Sequence, residues 1–221
     1  MKLGALFAGA ALFASVHGTA IAQQTWKLVS GAQPGTPIIG FVDETVAKIT
    51  EGMKGVAKAE RIFVGSEQEI AQQVIRGRVE LAGISMAGLA PSVPEAGLLT
   101  TPYLWSSNAE RDYVTDNYAL PVLRKIYEKK GIVLLKISEV GWNDVVCKKP
   151  CLTPADVNGI KARVSPSTAS RILWSAVGAN GVQMPLSELF PALQSGLVDA
   201  ADLPFPYYVT TPAAQSAPHT C

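Results

Sequence analysis

Histidine is almost absent from this chain of 221 residues, which has only His17 and His219. His17 falls in the opening apolar stretch and His219 lies two residues from the last position. The body between them therefore has no imidazole for a nucleophilic triad, a metal site or a proton shuttle. Cysteine is nearly as scarce: Cys147 and Cys151 bracket Lys148-Lys149-Pro150, and Cys221 stands alone at the last position. A structural zinc site needs four soft ligands, so no metal or other cofactor is expected. In an oxidising compartment the short turn makes Cys147 and Cys151 a candidate disulfide. The chain also lacks an excess of charge. Without Lys2, 18 basic residues face 18 acidic ones, and with no basic stripe to neutralise phosphates nucleic acid is not expected as a partner. There is no internal repeat, and beyond the first 22 residues no apolar run is long enough to span a bilayer.

Residues 1–22 have the layout of a secretory signal. Lys2 gives a positive start, residues 3–16 are apolar and uncharged, and Ala20-Ile21-Ala22 is a small-x-small cleavage site. Cleavage after Ala22 would release an exported, periplasmic chain starting at Gln23. Residues 26–30 read as a strand and 31–35 as a loop. Ile38, Val42, Val46, Ile49 and Met53 then recur every three or four positions, as on one face of a helix. A second strand is expected over 56–64. Ser66 and Glu69 form a capping box for the next helix, which Gly77 stops, and a third strand follows over 79–85. Strands alternating with helices imply an α/β unit with a mostly parallel sheet. A helix is expected over about 107–130, closed by Gly131, and an apolar strand over 132–139. The texture changes at Gly141-Trp142-Asn143, so the first unit is drawn as 23–139 and the second as 140–204.

In the second unit Thr153 is an N-cap, with Pro154 at the first helical position and Asp156 in the first turn of a short helix ending at Gly159. Ile160, Ala162 and Val164 alternate with Lys161 and Arg163, the period of a half-buried strand in which Arg163 points outward. Ala169, Ile172, Leu173, Ala176 and Val177 define the inner face of the next helix, and Gly178 ends it. After another strand, a helix over 187–195 tolerates Pro191 near its first turn. Gly196 then releases the chain into a strand over 197–201.

Several blocks resemble the extracytoplasmic solute receptors of TRAP-type transporters, the DctP family. They are Gly65-Ser66-Glu67, Pro102-Tyr103-Leu104-Trp105, the run from Thr153-Pro154-Ala155-Asp156 to Lys161-Ala162-Arg163-Val164, and Leu193-Gln194-Ser195-Gly196-Leu197-Val198-Asp199. The resemblance implies a two-lobed α/β fold like the type II periplasmic binding proteins. It also implies a receptor that closes on a small organic acid and delivers it to membrane permease subunits without transforming it. It makes Arg163 the anchor for the ligand carboxylate, a task suited to a planar, permanently charged guanidinium. Two family features are changed. Trp142 and Asn143 stand where relatives often have an arginine, and Leu203 replaces a frequent asparagine beside Asp202, so Trp142, Asn143 and Asp202 are candidate contacts.

Phe205, with Trp142, is a candidate apolar wall, and Ser85 is a candidate because strand ends of open α/β sheets collect ligands. Residues 205–221 look like a divergent tail. Relatives being longer, the fold is expected to be incomplete towards its C-terminus, with reduced stability and weakened binding. Two rival functions remain open: a sensor or scavenger of the same fold, and an exported enzyme working through carboxylates such as Glu67, Glu69 or Asp202, although no spacing requires the latter.

Overall fold

Strand β1 (Gln24–Ser30) runs between β2 (Ala57–Phe63) and β3 (Leu81–Gly83) in an all-parallel sheet, in register from Gln24 opposite Ala57 to Ser30 opposite Phe63. This arrangement comes from a computed structural model that describes residues 23–32 and 36–221. The expected signal segment with its cleavage site, and the Gln33-Pro34-Gly35 part of the first loop, lie outside the described residues. Helix α1 (Pro37–Gly52) connects β1 to β2, and α2 (Glu67–Ile75) connects β2 to β3. Each is the crossover a parallel pair requires. The expected α1 stripe does turn inward, with Ile38, Val42, Val46 and Ile49 all half-buried while Phe41 is exposed. Only half of the expected capping box forms on α2. Ser66 Oγ accepts the Glu69 N–H at 3.2 Å, but the Glu69 carboxylate accepts the Gln73 amide instead.

The chain continues through α3 (Met86–Leu89) to a bundle that departs from expectation twice. The single helix over 107–130 is α4 (Asn108–Val114) and α5 (Leu120–Glu128) separated by a π-helical turn, in which Leu120 N–H reaches back to Thr115 O. Pro121 has no N–H to give, and an extra residue per turn accommodates that gap. Segment 132–139 is not a strand. Ile132, Leu134 and Ile137 pack on a core of Ala71, Leu89, Leu123 and Tyr127, while Arg124 donates to the carbonyls of Leu134 and Leu135 at 3.2 and 3.0 Å. Apolar side chains suffice to bury such a segment, but a strand also needs a neighbouring backbone, and here a guanidinium takes the acceptors.

The second sheet has the order β6-β5-β7-β4-β8, formed by β4 (Asn143–Cys147), β5 (Lys161–Val164), β6 (Asn180–Gln183), β7 (Ala200–Pro204) and β8 (His219–Thr220). β5, β6 and β7 are parallel, β4 opposes β7, and β8 opposes β4. β7 begins three residues later than expected. Gly196, at φ 77°, ends α7 (Leu186–Ser195) in the left-handed conformation, and residues 197–199 are spent reaching the sheet.

One face of this sheet buries Val146, Ala201 and Leu203 against Leu189 and Leu193 of α7. The other buries Ala162, Val164 and Ala200 with Trp174 of α6 (Thr168–Ala176). Full burial of a leucine such as Leu193 contributes about 2–3 kcal/mol. With both faces covered, Arg163 cannot point outward; it is 4% exposed. The inner face of α6 matches expectation only in part: Ala169, Leu173 and Val177 are half-buried. Ile172 is 56% exposed and the buried pair is Ser170 with Trp174, one turn apart, because both hydrogen-bond to an acidic strand residue beneath them. Thr153 caps a 3-10 turn, Pro154–Val157, and not a helix running to Gly159; its N–H and hydroxyl both donate to Asp156 Oδ2, at 2.8 and 2.9 Å.

Residues 205–221 are part of this layer. They form α8 (Phe205–Val209), α9 (Ala213–Ser216) and β8, and they bury Tyr207, Tyr208, Ala213 and Ala217. Tyr208 donates its hydroxyl to Ala217 O at 2.8 Å. Cys147 and Cys151 are disulfide-bonded, with their Cα atoms 6.4 Å apart.

Candidate ligand cleft

Arg163, the penultimate residue of β5, has two nitrogens engaged within its own sheet. Nε donates to Met184 O at 3.2 Å and Nη1 to Ser165 Oγ at 2.6 Å. Ser165 lies 3.5 Å from Asp202 Oδ2, and Asp202 Oδ1 accepts the Ser170 hydroxyl and the Trp174 indole N–H, both at 2.9 Å. Asp202 is thus the hub that ties β7 to α6. It also places a carboxylate close to the buried guanidinium. Burial pulls the Arg163 pKa below its ordinary value, and the charges of Asp202 and Glu67 pull it back. A guanidinium keeps its proton through such shifts, so the group is a fixed buried cation. Among the described residues no hydrogen bond uses Nη2, which leaves one donor edge for an anion.

Glu67, at the first position of α2, approaches from the first sheet and is half-buried. Its Oε1 accepts the Ser85 N–H at 2.7 Å and its Oε2 the Ser85 hydroxyl at 2.6 Å. Room for this side chain comes from two glycines. A Cβ on Gly31 would sit 2.6 Å from Glu67 Cγ, and one on Gly88 would sit 2.5 Å from Glu67 Cβ. Ser85 Oγ accepts in turn from Gly88 N–H at 2.9 Å, capping α3. With its proton on Glu67, Ser85 has none left to donate to a ligand; its place is in the support of Glu67.

Tyr207 completes the cluster. Its ring stacks on Phe190 with centroids 6.3 Å apart, and its hydroxyl is buried with no hydrogen-bond partner among the described residues. Burial and the Glu67 charge raise its pKa to about 12 against the opposing effect of Arg163, so it stays a protonated donor. Neither periodicity nor composition pointed to Tyr207. The usable signal was the Tyr207-Tyr208 pair, large aromatics amid small residues, in a stretch read as tail.

Trp142, Asn143 and Phe205 form a separate group. Asn143 faces Pro204 in the β4–β7 ladder, and Phe205 N–H donates to Trp142 O at 3.0 Å. Arg163 is level with Ala201, three residues earlier on β7, hence about 10 Å away along the strand. Trp142 is 43% exposed and its ring lies 5.6 Å from the Arg111 guanidinium, which also pairs with Glu139 at 3.1 Å. A side cavity of about 190 Å³ between α6 and β6 is lined by Arg171, Trp174 and Gln183 but by none of Arg163, Glu67 or Tyr207. Among the described residues no three histidine, cysteine or acidic side chains are grouped to hold a metal, and no helix is long and apolar enough to cross a membrane.

Residues 34–220 match the family described as bacterial extracellular solute-binding protein, family 7 (DctP). The chain belongs to this family. The match takes in residues 205–220, the stretch that reads as divergent in the sequence. Among curated members, the chain is 31% identical to the 2,3-diketo-L-gulonate-binding periplasmic protein YiaO of Escherichia coli (strain K12) over 164 residues, covering 71% of this chain and 49% of the relative. It is 27% identical to the C4-dicarboxylate-binding periplasmic protein DctP of Rhodobacter capsulatus, covering 91% and 62%. The crystal structure of a TRAP periplasmic solute-binding protein from Sulfurospirillum deleyianum with bound succinate superposes with a TM-score of 0.83 at 26% identity, over 90% of this chain and 66% of that one. The chain thus spans half to two thirds of the length of these family members. It shares their two-lobed α/β periplasmic-binding fold.

Proposed function

We propose that the protein is a periplasmic receptor that captures a small organic acid between its two lobes and hands it to the permease subunits of a TRAP-type transporter. One observation supports this above the others: a buried arginine at the carboxyl end of β5 with an unspent donor edge. A carboxylate arriving there meets a charged, already desolvated donor, the setting in which an ion-paired hydrogen bond is strongest. Arg163 would hold the carboxylate and Tyr207 would donate to a second oxygen. Trp142 and Phe205 would flank the opening between lobes divided near residue 139. Closure follows if the ligand gains contacts from both lobes at once, which shifts an open–closed equilibrium. The ligand is bound and released unchanged, so no enzymatic step is assigned, and the exported location follows from the signal read in residues 1–22.

Isothermal calorimetry with succinate, D-galacturonate and D-glucuronate tests the reading, run on the wild type, Arg163→Lys and Arg163→Ala. At least one acid should bind the wild type, with affinity reduced at least tenfold in Arg163→Lys and lost in Arg163→Ala. Equal affinity in Arg163→Ala, or a folded wild type that binds no carboxylate, would overturn it.

A further inference from the structure

Three sulfurs meet at the edge of the second sheet. Cys147 ends β4 and is bonded to Cys151 across the Lys148-Lys149-Pro150 turn. On its other side β8 pairs His219 with Cys147, and the ladder runs on past the strand. Cys221 N–H donates to Val145 O at 3.0 Å and Val145 N–H to Cys221 O at 3.2 Å. Facing residues of paired strands project to the same side, and so do alternate residues of one strand. Cys221, opposite Val145, therefore emerges on the face that carries Cys147, and its Sγ lies 3.6 Å from Cys151 Sγ.

We propose that Cys221, Cys151 and Cys147 form an intramolecular thiol–disulfide exchange site, in which the bond moves from Cys147–Cys151 to Cys151–Cys221. Cys221 loses its proton to solvent and the thiolate attacks Cys151 Sγ. The Cys151–Cys147 bond breaks with its electron pair passing to Cys147 Sγ, which leaves as a thiolate and takes up a proton. One sulfur–sulfur bond forms and one breaks, so no oxidant or reductant is consumed.

The two states differ in what they present. With Cys147–Cys151 bonded, the chain carries an exposed thiol at Cys221. After exchange the free thiol is Cys147, which is 2% exposed, and a link across 70 residues of sequence staples the end of β8 to the turn. The site thus decides whether the protein offers a modifiable thiol. Its surroundings restrain it. Burial raises the Cys221 pKa, and the negative charges of Asp144 on β4 and Asp156 on the 3-10 turn raise it further, so thiolate is scarce at neutral pH. The exchange rate should climb about tenfold per pH unit until the thiol has titrated.

The test incubates the oxidised protein over a range of pH and quenches it in acid. Thiols are then alkylated with N-ethylmaleimide in mildly acidic denaturant, and the peptides are mapped without reduction. Alkylation should pass from Cys221 to Cys147 as a Cys151–Cys221 peptide appears, and Asp144→Asn should speed this several-fold at neutral pH. Cys221→Ser should keep the Cys147–Cys151 bond at every pH. Cys147→Ser, treated with oxidised glutathione, should close Cys151–Cys221 directly. Alkylation confined to Cys221 throughout, or free Cys151 and Cys221 in the treated Cys147→Ser protein, would overturn the proposal.

Discussion

Asp202 accepts the Trp174 indole N–H at 2.9 Å through Oδ1, the same oxygen that accepts the Ser170 hydroxyl. Trp174 is among the largest fully buried side chains of the protein, so its N–H has no water to fall back on. The bond fixes α6 over the sheet, and through Ser165 the same carboxylate reaches the buried Arg163 guanidinium.

Removal of the Asp202 side chain would strand three buried donors, the Ser165 and Ser170 hydroxyls and the Trp174 indole N–H. Asp202→Ala should cost about 2–3 kcal/mol in urea unfolding, the range for hydrogen bonds to a charged acceptor. Asp202→Asn keeps an acceptor oxygen for Trp174 and should recover most of that loss. It still removes the negative charge beside Arg163, so the two substitutions separate stability from ligand affinity. An Asp202→Ala protein within about 0.5 kcal/mol of wild type would show that the network does not hold α6.

Gly31 and Gly88 are needed because Glu67 passes between them. Gly31→Ala and Gly88→Ala should each cost about 1–3 kcal/mol, the range for overpacking. If the clash with Glu67 is the cause, Gly31→Ala should cost much less in a Glu67→Ala background, which removes the Cγ and carboxylate that its Cβ would meet. Additive losses in that double-mutant cycle would assign the strain to some other neighbour.

Two buried phenols set an alkaline limit. Burial, helped by the Glu95 charge, raises Tyr127 from 10.0 to about 12, and burial raises Tyr207 from 10.0 to about 12. Between these values the folded protein holds protons that the unfolded chain has released, so stability falls as pH rises. The contribution is complete below pH 10 and gone above about 12. Urea unfolding at stepped pH should show a decline of about 2 kcal/mol per phenol over this window, halved in either Tyr→Phe variant. At neutral pH Tyr207→Phe should hold or raise stability, because it removes a buried hydroxyl with no partner. A loss above about 1 kcal/mol there would mean that the hydroxyl is bonded after all.

What the sequence revealed was local. The strand–helix alternation, the α1 stripe and the Thr153–Asp156 cap depend on neighbours within a few residues, and each appears close to where it was read. What it concealed depends on partners distant in the chain. Segment 132–139 has the apolar content of a strand but no backbone beside it. Arg163 alternates like an exposed residue, yet α7 and the 205–217 stretch cover its face. Ile172 looks internal because apolar spacing cannot anticipate that a polar serine and the tryptophan one turn on would be drawn under α6 by Asp202. Of the candidate contacts, Arg163 and Asp202 come together with Glu67 and Tyr207, whereas Trp142, Asn143 and Phe205 gather further along β7.

The last element tests how much of the fold residues 205–221 support. Tyr207, Tyr208, Ala213 and Ala217 belong to the core that contains Leu189, Leu193 and Val146, and β8 covers one edge of β4. A chain ending at Pro204 would expose that core and unpair β4 on one side. It should lose its cooperative thermal transition and bind a hydrophobic dye such as ANS. Tyr208→Phe is the milder counterpart. It deletes only the hydroxyl bonded to Ala217 O and should cost about 1 kcal/mol with cooperativity intact. If the chain ending at Pro204 melted cooperatively within a few degrees of the full protein, residues 205–221 would be an attachment to the lobe and not part of its core.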